Sequence, residues 1–150
     1  MSAVIRKATT DDRPAAHRMC ASFIAAANLA SFGEMSPESI DAMISACMES
    51  GAVFVAEANG APVGMIVIAV VPVWFTGAPY AHEMCWWVDE SARGTGVGGD
   101  LHAAADEWAR GAGVRGLMMD AIHGGTAELA ESVYRASGYR HIQTTWAREF

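Results

Sequence analysis

Lysine is almost missing from this chain: Lys7 stands alone among 150 residues. That scarcity excludes a Walker A phosphate loop, in which Lys-Ser or Lys-Thr must follow the last glycine. Hydrophobic residues make up 52% of the composition, yet no apolar run approaches the roughly 18 residues of a membrane span, so no membrane partner is expected. Cysteine is sparse and odd in number (Cys20, Cys47, Cys85), with no C-x-x-C pair. This usage points to reduced core thiols rather than a disulfide framework or a zinc site, and no metal centre is expected. The formal net charge of −7 disfavours nucleic acid as a partner and is consistent with attracting a cationic amine. Arg6, Lys7 and Asp11-Asp12-Arg13 break any apolar leader segment, so a cytoplasmic location is expected. Repeats, linkers and low-complexity tracts are also missing, and the length suits a single domain over residues 1–150.

What is present is an ordered series of short elements. Val4-Ile5-Arg6 reads as an opening strand, followed by cap candidates at Thr9–Asp12, with Pro14 in a first helical turn. Ala16, Met19, Phe23, Ile24 and Ala27 recur at helical spacing. Ser36, Pro37 and Glu38 start a second helix, whose apolar face is Ile40, Met43, Ile44 and Cys47 and which ends at Gly51. Two apolar runs, Ala52–Ala58 and Pro62–Val71, flank Asn59-Gly60-Ala61, a strong hairpin signal. A loop carrying Trp74 and Phe75 leads to a strand over Tyr80–Val88. A glycine-rich turn then opens a helix bearing Leu101, Ala105 and Trp108, stopped by Gly111-Ala112-Gly113. Leu117–Ala121 reads as a strand, Ala127–Ser137 as a helix and Tyr139–Arg148 as a last strand. The order β-α-α-β-β-β-α-β-α-β calls for an α/β (α+β) fold, a mixed sheet with helices on both faces.

The glycine-rich turn, Arg93-Gly94-Thr95-Gly96-Val97-Gly98-Gly99, is the most telling segment. Between a strand and a helix start, bare backbone N–H groups and the positive end of the helix make a site for a phosphorylated ligand. Gly94, Gly96 and Gly99 also spell the dinucleotide fingerprint, with Asp120 about 20 residues on as a ribose-binding acid. That fingerprint starts directly at the end of its strand, however, whereas residues 89–93 intervene here, and it opens a larger α/β domain than the remaining chain can build.

Arg93-x-x-Gly96-x-Gly98 resembles the acetyl-CoA pyrophosphate loop of the GNAT (amine N-acetyltransferase) superfamily. Val88 falls on the valine of the family pattern, with Glu90 where proline is usual. Downstream, Tyr134-Arg135-Ala136-Ser137-Gly138-Tyr139 resembles the second signature, Y-x-x-x-G-F/Y. The two signatures cover roughly residues 82–140, in the family's order and spacing. The resemblance implies a mostly antiparallel central sheet that usually carries one more strand at the end. With the chain stopping at Phe150, that strand is expected to be missing or supplied by another subunit, which hints at a homodimer.

It also implies a reaction and a set of roles. The expected activity is acetyl transfer from acetyl-CoA to a primary amine, a small molecule or a peptide, by direct attack in a ternary complex. The alternative is a non-catalytic acyl-CoA-binding sensor or assembly module. The backbones of Arg93, Gly94, Thr95, Gly96, Val97 and Gly98 would bind the pyrophosphate, and Trp86, Trp87 and Val88 would run beside pantetheine. Tyr134 matches the tyrosine that often protonates the departing thiolate. Glu83 and His82 are both candidate bases, on opposite faces of one strand, and an amine that arrives deprotonated needs neither. His123 is a lesser candidate, and Cys85 reads as a buried strand residue rather than a nucleophile. Trp74, Phe75 and Tyr80 would either cradle the acceptor amine or cover the sheet or a dimer partner. Ala127 stands where the family often has an asparagine.

Overall fold

In the computed structural model, which describes residues 2–122 and 127–150, the apolar runs form one five-stranded sheet of order 1-2-3-4-5. Its strands are β1 (Val4–Lys7), β2 (Ala52–Ala58), β3 (Ala61–Pro72), β4 (Pro79–Val88) and β5 (Leu117–Met118). Helices α1 (Arg13–Ala26) and α2 (Pro37–Ser50) follow β1, α3 (Val97–Gly111) follows β4, and α4 (Ala127–Ala136) follows β5. β1 to β4 pair antiparallel, and β4 with β5 is the one parallel pair. The sheet is mixed, as the pattern called for, and mostly antiparallel, as the resemblance implied.

Local chemistry explains the elements. Asn59 (φ 52°) and Gly60 (φ 78°) both take positive φ, which makes the β2–β3 connection the two-residue turn that matches strand twist. Ser36 Oγ accepts the Ser39 N–H at 3.1 Å, and Pro37 occupies the first turn of α2. Asp12, buried ahead of α1, accepts the Thr9 N–H at 2.7 Å and a forked pair from Arg6 at 2.7 and 2.9 Å. The Arg6 fork is the first reason that the Asp12 carboxyl lies below the usual carboxylate range.

The sheet is covered on both faces. Met19, Cys20, Ile40, Ile44 and Cys47 of α1 and α2 pack on Val53, Val55, Met65, Val67 and Cys85. Val97, Leu101, Ala105 and Ala109 of α3 pack on Phe54, Ala56, Ile66, Ile68 and Ala81. Two-sided burial is why β2 and β3 read as nearly continuous apolar runs instead of alternating ones.

Two expectations at the C-terminal end are corrected. The strand read over Leu117–Ala121 is only Leu117–Met118, and no strand occupies Tyr139–Arg148. A strand exists through ladder bonds to a neighbour, and β5 bonds β4 at only Ala81 and His82. Alternation in the last segment offers little more than Ile142 and Trp146 to bury. Both are exposed, as is every residue from Arg140 to Phe150.

Candidate active site

The glycine-rich turn is built from its anchors outward. The Asp89 N–H donates to Val63 O at 2.8 Å, tying the end of β4 to β3. A single 3-10 turn, Glu90–Ala92, then buries Ala92. Thr95 Oγ1 closes the loop by donating to Ala92 O at 2.6 Å, and Gly96 (φ 93°) turns the chain into α3. The first helical bond runs from Asp100 N to Gly96 O, which leaves the N–H groups of Val97, Gly98 and Gly99 as the free donors of the helix start. A Cβ added at Gly94, Gly96 or Gly99 would meet nothing within 4 Å, whereas one at Gly98 would touch Val88 at 3.6 Å and Trp86 at 3.7 Å, so the turn is open at three of its four glycines. This donor set, at a helix N-terminus, fits a diphosphate.

Arg93 is held at this turn by its own strand. Its Nε donates to Val88 O at 3.1 Å, and its guanidinium lies 4.9 Å from the centre of the Trp87 ring. Trp87 Nε1 donates to Asp89 Oδ1 at 2.9 Å, and Arg18 of α1 grips both Asp89 oxygens at 2.8 Å. Burial works against the Asp89 charge, but Arg18 and the indole N–H outweigh it and hold the carboxyl below its ordinary pKa. Trp86 and Val88 face α3, with Trp86 Nε1 buried and unpartnered among the described residues.

Farther back on β4 the sheet splits. Val67 pairs with Cys85 and Ile68 with Glu83, so Met84 is the extra residue of a β-bulge. Among the described residues, β5 pairs with β4 only at Ala81 and His82, and the edge of β4 from Met84 to Val88 has no partner strand on that side. Where the two strands part, three candidate residues meet around one that was not expected. The Asp120 N–H donates to Glu83 Oε2 (3.3 Å), Asp120 O accepts the Tyr134 hydroxyl (2.7 Å), and Asp120 Oδ2 lies 3.0 Å from His82 Nε2. Glu83 and His82 do point to opposite faces of β4, pairing across from Ile68 and Ala69. Asp120 nonetheless reaches both.

The electrostatics follow from burial. Glu83 is only 6% exposed, and its carboxyl is pushed up to about 7, first by desolvation. The Asp120 N–H and His82 pull it down, while the Asp120 charge pushes it up. The hydrogen bond to Asp120 is the main reason that His82 titrates above its ordinary value. Burial raises the Tyr134 phenol, so it stays protonated at neutral pH. The Cys85 thiol is also pushed well up, by its contact with Cys20 and by burial, which suits an inert core residue.

Tyr134 is set by packing. The rings of Trp86, His102, Tyr139 and Tyr134 form a closed circuit with centroid separations of 5.9, 5.6, 5.6 and 6.3 Å. His102 Nε2 lies 3.1 Å from the Tyr139 hydroxyl, joining α3 to the residue after the α4 cap. The sequence signals for these two were a histidine inside the buried stripe of α3 and the second tyrosine of the downstream signature. Asp120 carried only a signal for ribose binding. Trp74 (92% exposed) and Phe75 pack edge to face on each other at the tip of the β3–β4 hairpin, apart from the cluster at Asp120. Tyr80 lies over Gly116 at the start of β5. His123 falls outside the described residues.

The sequence model described as the acetyltransferase (GNAT) family matches residues 9–139. No curated protein matches the chain. Among solved structures, AAC(6')-Iy in complex with the bisubstrate analog CoA-S-monomethyl-acetylneamine superimposes with a TM-score of 0.76 at 18% identity, over 100% of this chain and 99% of that one. Ribosomal-protein-alanine N-acetyltransferase from Brucella melitensis biovar Abortus 2308 gives 0.76 at 14% identity, over 100% of both chains. A transcriptional regulator from Bacillus halodurans C-125 gives 0.76 at 21%, over 99% of this chain and 100% of that one. At these identities the likeness is one of fold.

Proposed function

The chain belongs to the acetyltransferase (GNAT) family, and from that premise we propose that it is an N-acetyltransferase using acetyl-CoA. The acetyl group passes to a primary amine by direct attack on the thioester in a ternary complex. The observation that carries this reading is the meeting of Glu83, His82 and Tyr134 where β4 and β5 part, on the strand that ends in the phosphate-binding turn. From Glu83 to Val88 the strand runs about 17 Å, which separates the reacting end of the cofactor from its anchored end. Acetyl-CoA supplies the activated acyl group. The Arg93 N–H, expected among the diphosphate donors, is taken by Glu90 O at 3.3 Å, so the amides of residues 94–98 would hold the diphosphate, and the edge of β4 at Trp86, Trp87 and Val88 would pair with the pantetheine amides.

The protein then manages protons. Glu83, poised near neutrality, takes the proton of the attacking amine directly or through water, with His82 as the second candidate. The Tyr134 phenol turns its proton from Asp120 O to the departing thiolate. Trp74, Phe75 and Tyr80 form the approach for the acceptor. The outer edge of β5, unpaired among the described residues, suits pairing with a second copy, and the three free buried thiols suit a reducing cytoplasm. The structures of AAC(6')-Iy with a CoA bisubstrate and of a ribosomal-protein-alanine N-acetyltransferase support both small-molecule and protein amines as acceptor classes.

Calorimetric titration with acetyl-CoA, free CoA and NADH tests the cofactor. Binding of acetyl-CoA that disappears in Gly96→Glu supports the loop assignment, and binding of NADH alone overturns it. Thiol release with tyramine, spermidine and an alanyl peptide as probe amines then tests transfer. Binding without any release would favour the sensor or assembly reading, to which Ala127 lends weight.

A further inference from the structure

Asp120 has no role in the reading above, yet each of its polar groups goes to a different residue of the candidate site. Its N–H holds Glu83, its carbonyl holds Tyr134, and its carboxylate holds His82. The cause lies in the backbone. The β4–β5 ladder ends at Met118, so the main-chain groups of Asp120, two residues on, have no strand partner and satisfy themselves with side chains instead. We propose that Asp120 is a positioning residue that joins the two faces of β4 into one proton-handling site. The inference rests on the acetyl-transfer reading of this site.

A histidine–aspartate pair with 31% and 60% of its side chains exposed contributes little stability by itself. What it adds is orientation. With Asp120 Oδ2 accepting from Nε2–H, the free nitrogen of a neutral His82 is Nδ1, and the ring presents an acceptor in a fixed direction. With the Asp120 N–H on Glu83 Oε2, the other Glu83 oxygen has no partner among the described residues and is available to a proton. Strand alternation alone would leave these two side chains unrelated. The residue that relates them is one that periodicity cannot find, because it lies beyond the end of its strand. The groups that act on His82 are Asp120 from the segment after β5 and Glu83 from β4 itself.

The test combines a titration with a mutant cycle. Ring nitrogens of His82 are followed by NMR against pH in the full chain and in Asp120→Asn. Thiol release is measured with acetyl-CoA and the fastest of the three probe amines for Asp120→Ala, His82→Gln and the double variant. The expected results are a His82 titration moved to lower pH and a kcat lowered on the order of tenfold in Asp120→Ala, with acetyl-CoA affinity within about twofold. The double variant should be no slower than His82→Gln, because Asp120 acts through that ring. Asp120→Asn keeps an acceptor for Nε2–H and should recover part of the rate. An unmoved His82 titration, or losses that multiply in the double variant, would overturn the proposal. Wild-type protein that releases no thiol with any probe would sink acetyl transfer instead, and the titration, which needs no turnover, would still decide the link between Asp120 and His82.

Discussion

The Tyr134 hydroxyl donates to the main-chain oxygen of Asp120 at 2.7 Å, which ties α4 to the point where β4 and β5 separate. The same hydroxyl is the proton source in the proposed reaction, so one substitution tests both roles. Tyr134→Phe removes the hydroxyl and leaves the ring circuit with Trp86 and Tyr139 in place. We expect kcat to fall roughly 100-fold, with acetyl-CoA affinity unchanged by calorimetry and a stability loss of about 1 kcal/mol by denaturant titration. Turnover equal to wild type would remove Tyr134 from the acid role.

Glu83 predicts a pH dependence with a definite sign. Its carboxyl is pushed up to about 7, so the base becomes available as pH rises through that value and kcat/KM should climb to a plateau above it. Stability runs the other way. A carboxyl raised in the folded state favours folding while protonated, and that contribution is lost as pH rises from the ordinary value of 4.5 through about 7. Glu83→Gln has no such charge to bury and should gain stability relative to wild type between pH 5 and pH 8. Chemical denaturation of both proteins at the two values measures this, and parallel curves would refute it.

Arg18 offers a test of the turn that does not touch it. The guanidinium holds Asp89, which in turn holds Trp87, on which Arg93 lies. Arg18→Ala should raise the KM for acetyl-CoA several-fold while kcat at saturation stays close to wild type. An equal fall in kcat with KM unchanged would show that the network serves the reacting end instead.

Gly51 is a purely steric prediction. A Cβ there would stand 2.0 Å from Ile68 O, against backbone that cannot turn aside. Gly51→Ala should cost about 2 kcal/mol or more, read as a lower midpoint in urea. A midpoint equal to wild type would mean that α2 can shift freely against β3.

Trp74 and Phe75 are exposed and touch mainly each other, so replacing both by serine should leave stability within about 0.5 kcal/mol. If they form the acceptor approach, the KM for the probe amine rises while acetyl-CoA affinity holds. A change of sedimentation velocity with unaltered KM would assign them to a contact between copies.

Some of this was legible because it depends on neighbours in sequence. The Asn59-Gly60 turn, the cap at Ser36-Pro37 and the glycine turn before α3 are each built within a few residues, and each formed where its residues pointed. The β-bulge at Met84 was not legible, since a bulge is a mismatch between two strands. Nor was the brevity of β5, or the absence of a strand after α4. Ile142 and Trp146 alternate as strand residues do, but alternation without a partner makes no ladder.

By itself, then, the sequence determined the order of the elements up to α4, the faces that they bury, and a glycine-rich turn that presents consecutive backbone amides at a helix start. The tertiary structure alone decided what stands beside Glu83 and His82. Alternation sends these neighbours to opposite faces. Only the early end of β5, a relation between segments more than 30 residues apart, frees Asp120 to bind them both.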